Sequence, residues 1–227
     1  MNIANESELD QFIKEYPEIN MLEILMPDMN GIVRCKRIPR GEFGTFFRHG
    51  VKGPASTTLL NVRGEFCDEV DFAGLEGDPD KLIHPIANTL APITWLKSDT
   101  AQVLATFTEL DGSAALFDSR NILIKALQPL QAMNLQPIVA TELEFYLLKN
   151  GEGNVPEPLL GKIPGTQIDQ PGTQYAMPED LWDNDAFLED VRKACEVQNV
   201  PMTTVHSEFS PGQFEINLHH VDDPVSA

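Results

Sequence analysis

Apolar positions along the chain follow two rhythms, one near 3.6 residues and one of two. Leu9, Phe12, Ile13 and Tyr16 recur at helical spacing behind Ser7, which can cap the helix, and Pro17 ends it. Residues 19–26 and 32–38 are strand-like runs on either side of Pro27-Asp28-Met29-Asn30-Gly31, so a β-hairpin is predicted. A short helix is expected near 42–48, then strands around 57–62 and 102–108, separated by an acidic loop over 74–81. To about Leu110 this predicts a small mixed sheet with one or two helices.

The pattern changes after Asp111-Gly112. Asp118 or Ser119 can cap a helix to about Met133, which Pro129 must kink or shorten. A strand over 137–148 follows, and the aperiodic stretch 150–174, crowded with glycine and proline, predicts a long mobile loop. A helix over about 185–198 presents Phe187, Leu188, Val191, Ala194 and Cys195 on one face. Strands over roughly 202–209 and 213–219 then flank Ser210-Pro211-Gly212, which predicts an α/β second part. No helix follows the last strand to cover its face, so a downstream portion is expected to be missing.

Alternation also sorts the charges. On the strand containing Glu142-Leu143-Glu144-Phe145-Tyr146, it places Glu142, Glu144 and Tyr146 on one face and Leu143, Phe145 and Leu147 on the other. Carboxylates about 7 Å apart on one face repel each other and resist desolvation. Either that face is open to water, with ordinary solvated glutamates, or a cation compensates them. In the last two strands Gln213, Glu215, Asn217 and His219 align, and the Pro-Gly turn can bring Glu208 and Glu215 to one end of neighbouring strands. Four glutamates near one sheet face would suit Mg²⁺ or Mn²⁺, although protonation could relieve the repulsion instead. His206 and His219 read as partners of the carboxylates or, more simply, as exposed or satisfied strand histidines.

Composition narrows the function classes. The 227 residues carry a net charge of −19, which opposes binding to nucleic-acid phosphates or anionic membranes. Most of that charge reads as solubilising. Cys35, Cys67 and Cys195 are scattered and odd in number, arguing for a reducing compartment. No signal peptide or apolar span is visible, and a cytoplasmic location is expected. Neither a Walker loop nor GxGxxG is present.

Glu142-Leu143-Glu144-Phe145, followed by Glu208 and then Pro211-Gly212-Gln213-Phe214-Glu215, resembles the glutamine synthetase family. So do Met26-Pro27-Asp28-Met29-Asn30-Gly31, Lys36-Arg37-Ile38-Pro39, Gly77-Asp78-Pro79-Asp80, Thr89-Leu90-Ala91-Pro92-Ile93-Thr94-Trp95, and Phe117-Asp118-Ser119-Arg120. The resemblance runs from about Ile19 to the last residue. Within the family, the hairpin and Gly212-Gln213-Phe214-Glu215-Ile216-Asn217-Leu218-His219-His220 look like the γ-glutamyl-polyamine (γ-glutamylputrescine) synthetase branch.

The resemblance implies an α+β chain: an N-terminal β-grasp domain over 17–111, then the first half of the family's catalytic α/β domain over 116–227. It implies a ligase that uses ATP to activate the γ-carboxylate of glutamate as an acyl phosphate, which an amine or ammonia attacks. Glu144, Glu208 and Glu215 match ligands of the cation beside glutamate, and Glu142 one ligand of the nucleotide-side cation. The family's remaining ligands and phosphate-binding arginines lie beyond residue 227, so the chain is expected to be inactive alone. The alternative is a non-catalytic module that assembles with full-length relatives, since the family forms ring-shaped oligomers. Two departures stand out: Asn61 where an aspartate is usual, and Cys35 where the hairpin usually has glycine.

Overall fold

In the computed structural model, which describes residues 2–66, 77–170 and 175–225, Asn5 rather than Ser7 caps the first helix, α1 (Glu6–Glu15). Its side-chain oxygen accepts from the N–H groups of Ser7 and Glu8 at 3.0 and 3.2 Å, satisfying donors that have no partner inside the helix. Leu9 and Phe12 form its buried stripe, and Tyr16 closes it. The chain divides into two compact units, Met1–Leu135 and Gln136–Ala227.

In the first unit the expected hairpin forms from β1 (Met21–Pro27) and β2 (Val33–Pro39), paired antiparallel. The Asp28 carboxylate holds the turn. It accepts from the N–H groups of Asn30 and Ile32 at 2.8 and 2.9 Å, and from two Arg34 nitrogens at 3.0 and 2.8 Å. Burial by itself would raise its pKa, but the Arg34 guanidinium and the two backbone donors outweigh burial and hold it below 3.8. A depressed carboxyl stabilises the fold above its unfolded pKa, and that contribution fades as pH falls through the lower folded value. Asp28→Asn is therefore expected to destabilise the chain by about 2 kcal/mol at pH 7, the scale of a hydrogen bond to a charged group. Urea unfolding should show the gap to the wild type closing below pH 3.8; a gap independent of pH would count against this account.

The helix α2 (Phe43–His49) leads into β3 (Val51–Pro54); β4 (Asp80–Pro85), β5 (Ala91–Pro92) and β6 (Thr100–Thr108) complete the sheet. The strand order is β2-β1-β6-β4-β3, with β5 also on β6. Among the described strands of this sheet, β1 and β6 pair parallel and the other pairs are antiparallel. Being central, β6 is buried along nearly its whole length, whereas β1 alternates. Phe12 of α1 and Phe43, Phe46 and Phe47 of α2 join Leu22, Ile24, Ile83, Val103 and Phe107 in one core.

The strand expected over 57–62 does not form. Ala55–Thr58 is a 3-10 turn closed by Leu59 N–H onto the Ser56 carbonyl at 2.9 Å. The Asn61 side chain then takes the N–H groups of Arg63 and Glu65 at 2.8 and 3.0 Å. Thr58 and Asn61 side chains engage local backbone here, a competition that β-branched composition does not reveal. Of the predicted acidic loop, Asp80 and Lys81 open β4, while residues 74–76 and Cys67 lie outside the described residues. Helix α3 (Ser119–Ala132) starts at Asp118 and runs through Pro129, whose missing N–H affects only the last turn.

In the second unit β7 (Glu142–Tyr146), β10 (Met202–Ser207) and β11 (Gln213–Leu218) make an antiparallel sheet ordered β10-β11-β7; between β7 and β10 lie β8 (Leu148–Asn150), β9 (Pro156–Pro158), α4 (Pro178–Asp183) and α5 (Asp185–Val197). Phe145 lies 6.1 Å, ring to ring, from both Phe214 and Phe187 of α5. The expected loop over 150–174 thus contains structure. β8 and β9 pair antiparallel, Lys162 bridges Asp169, and residues 171–174 lie outside the described residues. The β8–β9 pair is too short to show a period, which is why its sequence reads as loop. Among the described residues, no helix is long and apolar enough to cross a membrane.

Candidate metal centre

Register turns the sheet β10-β11-β7 into a grid. Asn217 faces Thr204 and Glu142; Glu215 faces His206 and Glu144; Gln213 faces Tyr146. Because side chains alternate, these residues share one face, and Leu143, Phe145, Phe214, Ile216 and Val205 share the other. The polar row is therefore a product of strand pairing, with its members fixed to about one residue spacing.

Glu208 joins the grid just past β10. Its N–H reaches the Gln213 carbonyl at 2.9 Å, and Gln213 N–H reaches Ser210 at 3.0 Å, closing the Ser210-Pro211-Gly212 turn. Gly212 is required twice over there. Its φ is +74°, and an added Cβ would stand 2.9 Å from the Leu147 carbonyl and from the Leu159 backbone. A side chain at that position would push the turn, and Glu208 with it, away from Glu215.

Among the described residues, His206, Glu208 and Glu215 bring ligand-type atoms together, all within 4.8 Å of one another. His206 Nε2 lies 2.9 Å from Glu208 Oε1 and 3.9 Å from Glu215 Oε2. Burial alone would raise the Glu208 pKa, but the Phe209 N–H and the His206 ring outweigh it and hold the carboxyl below its ordinary value. Glu215 is 9% exposed, on the central strand. Donors around one first-row cation bonded at about 2.1 Å stand roughly 3–4.2 Å apart. The set therefore fits a divalent ion after shifts of a few tenths of an ångström.

Of the four glutamates singled out by the sequence, Glu208 and Glu215 fall in this group, and Glu142 and Glu144 do not. Glu144 sits opposite Glu215 but accepts a 2.6 Å hydrogen bond from the Gln213 amide. Glu142 sits opposite Asn217, whose amide donates to Glu215 Oε1 at 2.6 Å. His206, which the sequence offers as a partner of the carboxylates or as an ordinary strand histidine, stands beside both Glu208 and Glu215. Sequence reasoning missed Tyr175, whose ring meets His206 edge-on at 5.4 Å and stacks on Phe209 at 4.7 Å.

The family described as "Glutamine synthetase, catalytic domain" matches residues 116–227. The gamma-glutamylputrescine synthetase of Escherichia coli (strain K12) is 32% identical over 232 aligned positions, covering 99% of this chain and 47% of that protein. The glutamate–isopropylamine ligase of a Pseudomonas species is 26% identical, covering 95% and 46% respectively. The chain thus spans about half the length of these relatives. Among solved structures, an ADP complex of GmaS superposes with a TM-score of 0.71 at 18% identity, and Plasmodium falciparum glutamine synthetase with 0.66 at 16%. They cover 94% and 98% of this chain and show a shared mixed α/β fold.

Proposed function

Because the chain belongs to the glutamine synthetase family, through its match over residues 116–227, we propose that it is the N-terminal half of an ATP-dependent glutamate–amine ligase. The observation that carries this reading is the polar sheet face on which Glu142, Glu144, Glu208 and Glu215 stand in paired register or at the adjoining turn. The first unit is read as the β-grasp domain, over about 17–111, and residues 116–227 as part of the catalytic domain. The reaction joins glutamate and an amine, with ATP released as ADP and phosphate; the γ-carboxylate is first phosphorylated, and the amine then displaces phosphate. The relatives named for putrescine and isopropylamine support an amine acceptor over ammonia.

A Mg²⁺ or Mn²⁺ ion held by Glu208, Glu215 and Glu144, with Glu142 towards a second ion, would neutralise charge on the transferring phosphoryl group. The chain's own residues orient these carboxylates: Gln213 fixes Glu144, Asn217 fixes one Glu215 oxygen, and the Phe209 N–H fixes one Glu208 oxygen. A cytoplasmic setting fits the exposed, unpaired Cys35.

The 227 residues are expected to form no γ-glutamyl amide by themselves from glutamate, ATP and putrescine or isopropylamine. A chimera joining them to the remaining part of the E. coli relative is expected to form it, and to lose it with Glu144→Gln. Turnover by the chain alone would refute incompleteness; a folded but inactive chimera would refute the ligase reading. The half-length match also supports a second reading, a module that docks with full-length relatives. Co-elution with such a relative on size exclusion, absent for each component alone, is its test.

A further inference from the structure

We propose that the cavity enclosed by β8, the turn over residues 159–167 and α4 binds a small zwitterion, an ammonium and a carboxylate joined through an aliphatic body, as in a free aliphatic amino acid or a short aliphatic peptide. The proposal goes beyond the ligase reading and does not depend on it. None of the residues lining this cavity belongs to β7 or to the group His206, Glu208 and Glu215.

The cavity measures about 530 Å³, within the ~300–1,000 Å³ typical of small-molecule sites. Its charges are sorted by wall. Glu179, Trp182 and Asp183 line one side. Three and four residues apart on α4, they fall on one helix face. Lys149 of β8 and Lys162 of the turn line the cavity too, and Leu159, Leu160 and Ile163 supply apolar surface.

The charges left without a partner decide the ligand class. Lys162 is paired with Asp169. Lys149 is exposed, its cross-strand neighbour Glu157 turns over Gly151 instead, and among the described residues no carboxylate bridges its ammonium. On α4 the acids crowd one another. Burial, and after it the Asp183 and Glu179 charges, push the Asp180 carboxyl up in spite of the Ser207 hydroxyl bonded to it. Glu179 Oε2 is buried with no hydrogen-bond donor among the described residues, a state that costs stability until a donor draws the carboxylate out. An ammonium in the cavity answers the acids, and Trp182, 69% exposed, offers it an indole ring. A carboxylate answers Lys149. A ligand with only one charge leaves the other wall uncompensated.

The walls are set before any ligand arrives. β8 pairs with β9. Leu159 N–H donates to the Leu147 carbonyl at 2.8 Å, and Ile163 N–H to the Ile168 carbonyl at 2.9 Å, which folds the turn back on itself. Just ahead of α4, Met177 N–H donates to Ser207 Oγ at 3.0 Å. A ligand therefore loses less to ordering than one that must assemble its own site.

Trp182 is one of two tryptophans, so a Trp95→Phe chain makes its emission the reporter. L-leucine and L-leucyl-L-leucine are the probes; saturation by either is expected, and the tighter of the two gives the length of the body. Lys149→Gln is expected to weaken that probe about tenfold, and Glu179→Gln by a similar factor. The carboxamide form of the probe is expected to bind the parent chain about tenfold more weakly and to change less than about threefold on Lys149→Gln. No saturable change of Trp182 emission with either probe up to about 10 mM would overturn the proposal. Equal losses of acid and amide on Lys149→Gln would overturn it too, because the lysine would then support the cavity and not read a carboxylate. A Glu179→Gln chain that binds as tightly as its parent would remove the ammonium half of the pairing, and the zwitterion with it.

Discussion

Glu215→Gln is expected to weaken Mn²⁺ binding to the chain about 100-fold, equivalent to about 2.8 kcal/mol. Glu215 stands on the central strand between His206 and Glu144, so it is the one acidic side chain adjoining both neighbours in the polar row. Loss of a mere orienting partner typically lowers metal affinity 10–100-fold, and loss of a ligand should reach at least the upper end. General attraction of cations to a chain of net charge −19 is the competing explanation. It predicts an equal effect for any carboxylate. Glu189→Gln on α5 supplies the control, because Glu189 is partly exposed and lies in a different element, where it pairs with Arg192 and Lys193. Mn²⁺ titration followed by EPR should find that variant within about twofold of wild type. Equal losses in the two variants would mean that the polar row is only a charged surface.

The second large effect concerns stability. Asp118→Ala should destabilise the chain by about 3 kcal/mol in urea unfolding. Asp118 is 6% exposed. Its Oδ1 caps α3 by accepting from Asn121 N–H at 2.9 Å, while Oδ2 accepts from Phe107 N–H at 2.9 Å and the Thr106 hydroxyl at 3.2 Å. Loss of the cap costs about 1 kcal/mol, and the buried Phe107 donor left without a partner about 2 more. Asp118→Asn keeps acceptor oxygen at one position and should cost roughly half as much. A loss under 1 kcal/mol for the alanine variant would show that water or another group replaces the carboxylate.

Two-residue periodicity made much of this legible. The hairpin β1–β2, the strands β7, β10 and β11, and the helix α5 all lie where the pattern of apolar positions places them, within a few residues. The shared face of Glu142, Glu144 and Glu215 followed from the same alternation. What stayed hidden depends on partners distant in sequence. Nothing near His206 says that β11 will set Glu215 beside it, or that Gln213 will take up Glu144. Residues 55–65 show the opposite failure: the Asn61 side chain accepts from the N–H groups of the nearby Arg63 and Glu65, a local bond that overrides a composition favouring strand.

The parallel pairing of β1 with β6 bears on how the polypeptide acquires its shape during synthesis. Met21 must wait for Thr100, and Leu25 for Leu104. At typical ribosomal speeds that is a delay of roughly 4–16 s, during which β1 has only β2 for company. An early hairpin with one bare, apolar edge is a natural client for holding chaperones, and nascent chains stalled before residue 100 should be far more prone to aggregate than those stalled after 110.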